Sequence, residues 1–253
     1  MLFAITGLLG RHVEASDGRI GAVTDFLFDD RHWKIRWMVV DAKGWLPGRE
    51  LLIHPSAIEP LRVSRPRAVS LPMLTSAPLA VVSVRLTKQK IEASPETSEH
   101  EPLSKQMEAR LYEYYGWDPL WDGGYLEANA EAPPLSPPPM TADLAPAGAM
   151  GDHDSGDPHL QSAVSANDCR VNATDGGLGH VENLLVDDAS WRIRYLVVTM
   201  RKWWPGKHVR LAPATVADVD WGESRIDLNL AREQVKSSPE WDPLAMADDI
   251  AER

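Results

Sequence analysis

Residues Asp17–Ile53 return without a gap 158 positions later as Asp175–Leu211, and 15 of the 37 aligned pairs are identical. The shared positions spell Asp-Gly-x-x-Gly-x-Val-x-x-x-Leu-x-Asp-Asp-x-x-Trp-x-Ile-Arg-x-x-Val-Val-x-x-x-x-Trp-x-Pro-Gly in both copies. These residue types build strands and turns, so one structural unit is written twice and the chain must fold as two versions of it. The repeat carries no set of residues with an obvious reaction to perform, and it reads as a framework.

In the first copy, Asp17-Gly18 supplies the positive φ of a tight hairpin turn after Val13–Ala15, and Ile20–Phe28 reads as a strand with Gly21 marking a bulge or bend. Asp29-Asp30-Arg31-His32 is the next turn. Trp33–Asp41 is a strand apolar on both faces, as a covered or closed sheet requires. A turn ending in Pro47-Gly48, a strand Glu50–Ile53 and a closing strand within Val81–Leu86 complete the unit. The second copy runs the same course through Asp175-Gly176, Gly179, Leu178–Val186, Trp191–Thr199, Pro205-Gly206, Val209–Leu211 and Arg225–Leu230. About six short strands per copy favour a small β-barrel, because closure removes exposed edges. The expected organisation is all-β with one short helix: a barrel over residues 1–98, a helix and Trp-Asp-Pro tail over 99–127, a disordered acidic Pro-rich linker over 128–161, and a second barrel over 162–253. Leu103, Met107, Leu111 and Tyr115 recur every four residues before Gly116, which predicts the helix over 103–115 and its C-cap. Trp117-Asp118-Pro119-Leu120 is echoed by Trp241-Asp242-Pro243-Leu244, so each unit ends on the same tryptophan anchor.

The net charge of −11 is unevenly spread: residues 1–98 carry +3, residues 99–158 carry −10 and residues 159–253 carry −4. Neither unit has the basic footprint of a phosphate-backbone binder, so direct nucleic-acid contact is not expected. Cys169 is the only cysteine, which excludes an internal disulfide and fits a reducing compartment such as the cytoplasm. The apolar opening Met1–Leu9 is much shorter than the roughly 20 residues of a membrane-spanning helix and reads as a first strand. The eight histidines show no metal-site spacing within a structured segment. The nearest group, Asp152-His153-Asp154 with Asp157 and His159, falls in the predicted linker and reads as solvated charge. No catalytic residue, metal or cofactor is assigned. Asp29-Asp30 and Asp187-Asp188 read as turn residues, since aspartate caps turn amides. Arg36 and Arg194 are charges set in apolar strands: each is either paired structurally with the preceding turn's Asp or used in recognising a partner. Trp45, Trp203 and Trp204 stand in the Pro-Gly turns, where they serve either contact between the two units or an outside protein.

Leu9-Gly10-x-x-Val13, Ser16-Asp17-Gly18-x-x-Gly21-x-Val23-x-Asp25-x-Leu27-Phe28-Asp29 and Trp33-x-Ile35-Arg36-x-x-Val39-Val40 resemble the PRC-barrel family, the small β-barrel of the photosynthetic reaction centre H subunit. Both copies share the likeness, which spans everything but the linker and part of the helix. The resemblance implies two tandem PRC-type barrels and a non-enzymatic scaffold that packs on a membrane complex from the cytoplasmic side. In a ribosome maturation factor, a related barrel binds a small-subunit ribosomal protein. The expected function is a protein-binding or assembly module. A ribosome- or RNA-associated maturation factor and a metal- or quinone-associated electron-transfer component are the alternatives.

Overall fold

The computed structural model describes residues 1–42, 44–46, 49–61, 81–95, 103–117, 156–200 and 207–241. In the first half, β1 (Leu2–Ala4), β2 (His12–Ala15), β3 (Gly18–Asp29), β4 (Lys34–Asp41), β5 (Glu50–Ile53) and β6 (Val82–Ser83) precede two helices, α1 (Lys88–Glu92) and α2 (Lys105–Tyr115). In the second half, β7 (Leu160–Ser162), α3 (Ala163–Ala166), β8 (Arg170–Ala173), β9 (Gly176–Asp187), β10 (Ile193–Met200), β11 (Lys207–Leu211), β12 (Val216–Asp220), β13 (Arg225–Leu228) and α4 (Arg232–Lys236) follow.

The strands form two mixed sheets, ordered β5-β4-β3-β2-β6 and β11-β10-β9-β8-β13-β12, in which only the β2–β6 and β8–β13 pairs are parallel. Among the described residues, neither sheet closes by pairing its end strands. The chain leaves β5 and β11 through 3-10 turns at Pro55–Ala57 and Pro213–Thr215, where proline lacks the donor that would continue the ladder. Beyond the first turn, among the described residues, a single bridge, Ile58 to Val84, reaches back toward β6. β3 and β4 bury residues on both faces, as the apolar run through Ile35, Trp37 and Val40 predicts. Gly21 and Gly179 sit where any Cβ would strike the carbonyl oxygen of Asp41 or Thr199 on the neighbouring strand, so close approach of backbones requires glycine at both.

The two halves exchange their leading strands. β1 adds to β9 of the second sheet, pairing Leu2, Phe3 and Ala4 with Asp187, Val186 and Leu185. β7 adds to β3 of the first sheet, pairing Leu160, Gln161 and Ser162 with Asp29, Phe28 and Leu27. Every one of these positions is displaced by 158 residues from its counterpart, so the exchange obeys the same pseudo-two-fold relation as the sequence repeat. At its centre Trp33 and Trp191 adopt left-handed φ values of 51° and 56°, uncommon for a bulky side chain. Their carbonyls accept across the junction, from Ile193 N at 2.7 Å and from Ile35 N at 2.9 Å. Trp191 packs against Phe3 and Phe26, and Phe28 packs against Trp33 and Trp221, so aromatic side chains of both halves fill the space between the sheets.

β7 straddles the end of the stretch read from the sequence as linker, with Leu160 and Gln161 inside it and Ser162 in the second unit. Its three residues are too short and too polar to show a strand period, and it forms because the edge of β3 offers unpaired amides and carbonyls. β12, α1 and α4 were likewise not expected. Of the predicted linker, residues 128–155 lie outside the described residues, as do residues 118–127 of the predicted tail. Among the described residues, no helix is long and apolar enough to cross a membrane.

Candidate functional site

Arg36 is the extra residue of a β-bulge. Leu27 pairs with Trp37 and Phe28 with Ile35, which leaves Arg36 unopposed and turns its side chain out beside that of Trp37. Helix α2 covers this point. Ser104 caps its first turn by accepting from Met107 N at 3.2 Å, and Gly116 ends it in the left-handed conformation at φ 68°. Its inward face presents Glu108, Leu111, Tyr112 and Tyr115, the three-and-four spacing of one helical stripe.

Glu108, only 3% exposed, accepts from Arg36 Nη2 at 2.8 Å and from Trp37 Nε1 at 2.6 Å. Asp157, also buried, meets Arg36 Nη1 at 3.3 Å, and its own amide donates to the Leu103 carbonyl at the start of α2. Asp29 lies 3.8 Å from Arg36. Burial works against the charge of Asp29. The His32 amide and ring, the Arg31 amide and the Arg36 charge outweigh it and hold the carboxyl below its ordinary range. His54 is fully buried beside Trp37, Tyr112 and Trp117. Burial, and then the nearby charges of Lys34 and Arg36, lower its pKa to about 3, which keeps the imidazole neutral. A cleft of about 700 Å³ opens between α2 and the β3–β4 turn, with Arg31 and Lys105 on its rim and Tyr112 and Trp117 on its wall. The arrangement is a clamp: Asp29, Glu108 and Asp157 neutralise Arg36, fix a turn or hold α2 to the sheet.

The second unit repeats the strand but not the cover. Leu185 pairs with Tyr195 and Val186 with Ile193, so Arg194 is again the bulge residue. Arg194 is exposed, and Tyr195 and Ala212, the counterparts of Trp37 and His54, are half-buried. The Arg210 guanidinium lies 5.6 Å over the Tyr195 ring. Trp241 is buried against Leu185 and Val197 and meets His208 edge-on at 6.0 Å. Both tail tryptophans are therefore anchors, but on different parts of their sheets.

The remaining expected site residues divide clearly. Trp45 is half-buried against the core, beneath Lys88 Nζ at 4.7 Å. Trp203, Trp204, Pro47, Gly48, Pro205 and Gly206 lie outside the described residues. Gly18 and Gly176 have φ of 136° and 132°, as their turns require. Asp17 and Asp175 do more than turn the chain, accepting from Lys88 N at 2.8 Å and Arg232 N at 2.9 Å at the first turns of α1 and α4. Asp29 and Asp187 cap their own turns, Asp29 through the Arg31 and His32 amides and Asp187 through the Ala189 and Ser190 amides. Asp30 ties the halves together by accepting from Trp221 Nε1 at 2.7 Å and meeting His159 at 3.0 Å. Of the acidic and histidine group 152–159, Asp157 and His159 are thus engaged with Arg36 and Asp30. Among the described residues, no group of His, Cys, Asp and Glu has a metal-holding arrangement.

Sequence reasoning gives no role to Glu108 or Asn183, meets Asp25 only within the family-like motif, and takes Asp157 for solvated charge, whereas Asp157 meets Arg36. The matches Leu2/Leu160, Val13/Val171 and Ala15/Ala173, all at the repeat's own offset of 158, were the available sign that the duplicated unit begins before Asp17. No protein-family model matches the chain, and no curated protein matches it significantly.

Proposed function

We propose that this chain is a non-catalytic binding and assembly module made of two PRC-type units, each sheet with its bounding 3-10 turn corresponding to one small barrel. The observation that carries this reading is the reciprocal exchange of leading strands. It sets two copies of one framework in a fixed pseudo-two-fold relation, a geometry suited to presenting surfaces. The polar residues repeated at that junction serve the framework: Asp29, Asp30, Asp187 and Asp188 cap turns or join the halves. The PRC likeness supports a partner that is itself a protein, with a membrane complex as the expected setting. The test is recovery of the tagged chain from its own host, followed by reassembly from purified components. A defined stoichiometric complex with no chemical turnover supports the module, and a chain that converts a small molecule unaided overturns it.

A further inference from the structure

We infer that the outer face of the second unit at Arg194, Tyr195 and Ala212 is a docking site for an amphipathic helix of a partner protein, one bearing a carboxylate among aromatic side chains on its buried face. This inference rests on the protein-binding reading above. It comes from the difference between two copies of one surface. In the first unit, the same three positions are Arg36, Trp37 and His54, and α2 covers them so fully that Trp37 and His54 are 0% exposed. In the second unit, the equivalent guanidinium is exposed, and the ring and the small residue beside it are half-open.

The bulge that turns the arginine outward is present in both units, so the backbone presents cation and aromatic side by side in each. The first unit shows the shape of what fits there. A helix places Glu108 against Arg36 and the neighbouring aromatic, and four residues on it lays Tyr112 against that aromatic at 5.4 Å. A charge-assisted bond of this kind holds a helix in register more firmly than apolar contact alone. The second unit has lost the donor that Trp37 supplies, since Tyr195 carries no indole N–H. Arg210 over the Tyr195 ring adds a second cation in its place. Among the described residues, Arg194 and Arg210 form no ion pair with an acidic side chain, while Glu182 toward Trp241 is engaged by His208, so the cations beside Tyr195 are complementary to an acidic helix. Trp241 seals the adjoining Leu185 and Val197, which gives the open patch an apolar border.

The probe is a synthetic peptide of residues 103–117 of this same chain, labelled at its N-terminus and titrated by fluorescence anisotropy against the whole protein. Saturable binding is expected, weakened about tenfold or more by Arg194→Glu in the protein and by Glu108→Gln in the peptide, and unchanged by Arg170→Glu on a distant strand. Arg194 is exposed, so its variant should keep the parent's thermal transition, which is checked alongside. Absence of binding overturns the proposal. Binding that survives Arg194→Glu overturns this site but leaves the module reading standing. Binding that appears only when the chain is shortened to end at Trp241 assigns the face to the chain's own residues 242–253 and overturns the partner helix.

Discussion

Asp25 and Asn183, 158 residues apart, perform one task in the two halves. Asp25 Oδ1 accepts the amide of Val164 at 3.0 Å, and Asn183 Oδ1 accepts the amide of Thr6 at 3.3 Å. Each also accepts the amide of the residue that follows it, Phe26 at 2.7 Å and Leu184 at 2.9 Å. A side-chain oxygen of each half thus receives the segment that the other half sends across, and the exchange is fixed by two matched sets of bonds.

The two differ in charge, and the first prediction follows from that. Burial raises the pKa of Asp25, with bonds from Ser162, Val164, Phe26 and Ala163 only partly offsetting it. A carboxyl whose folded pKa lies above its unfolded value binds more protons in the native state, so stability falls as pH rises through that window and stays lower above it. Asp25→Asn, which copies the second half, is expected to raise stability at neutral pH and to lose that advantage at acid pH where Asp25 is protonated. Denaturant titrations of both proteins at pH 7 and near pH 3.5 measure it.

Glu108 holds Arg36 and Trp37 together from a buried position. Removing one partner of a buried ion pair leaves the other charge uncompensated, so Glu108→Ala should cost about 3–5 kcal/mol. Arg194, the exposed counterpart of Arg36, lacks this cover, and Arg194→Ala should cost less than about 0.5 kcal/mol, as for ordinary surface substitutions. Chemical denaturation of the two variants compares them directly.

His54 sets an acid limit. Its folded pKa of about 3 lies below the unfolded value, so the unfolded state binds the proton first and stability falls as pH drops from about 6.5 toward 3. The expected loss over that range is a few kcal/mol. Proton NMR of the His54 ring should show no titration above about pH 4 while the fold persists.

Much of this was readable in the sequence, and what was not has a physical reason. The strands around Gly21, Ile35 and Val39 were legible because turn chemistry and apolar runs are local, and α2 because four apolar residues share one spacing. Arg36 was visible as a charge out of place, with an Asp of the preceding turn or an outside partner offered for it, while Glu108 and Asp157 looked like ordinary acidic residues 72 and 121 positions away. Their role depends on where α2 and β7 dock. β1 and β7 escaped recognition as exchanged strands because a three-residue strand has no period of its own and is defined by the edge it joins. The closed barrel was inferred from strand number, glycine bends, a strand apolar on both faces and the family likeness, and Pro55 and Pro213 mark where the ladder is interrupted.

The two halves of the chain complete each other through the exchange of β1 and β7, and this mutual completion is a physical association. It is tested most directly by inserting a protease site between residues 118 and 155 of the full protein, cutting it, and measuring association of the fragments by size-exclusion chromatography with mass determination. The fragments should remain a one-to-one complex at micromolar concentration, and replacing Thr6 and Asn183 with alanine together should loosen it. Fragments that separate while each keeps its own folded sheet would contradict it.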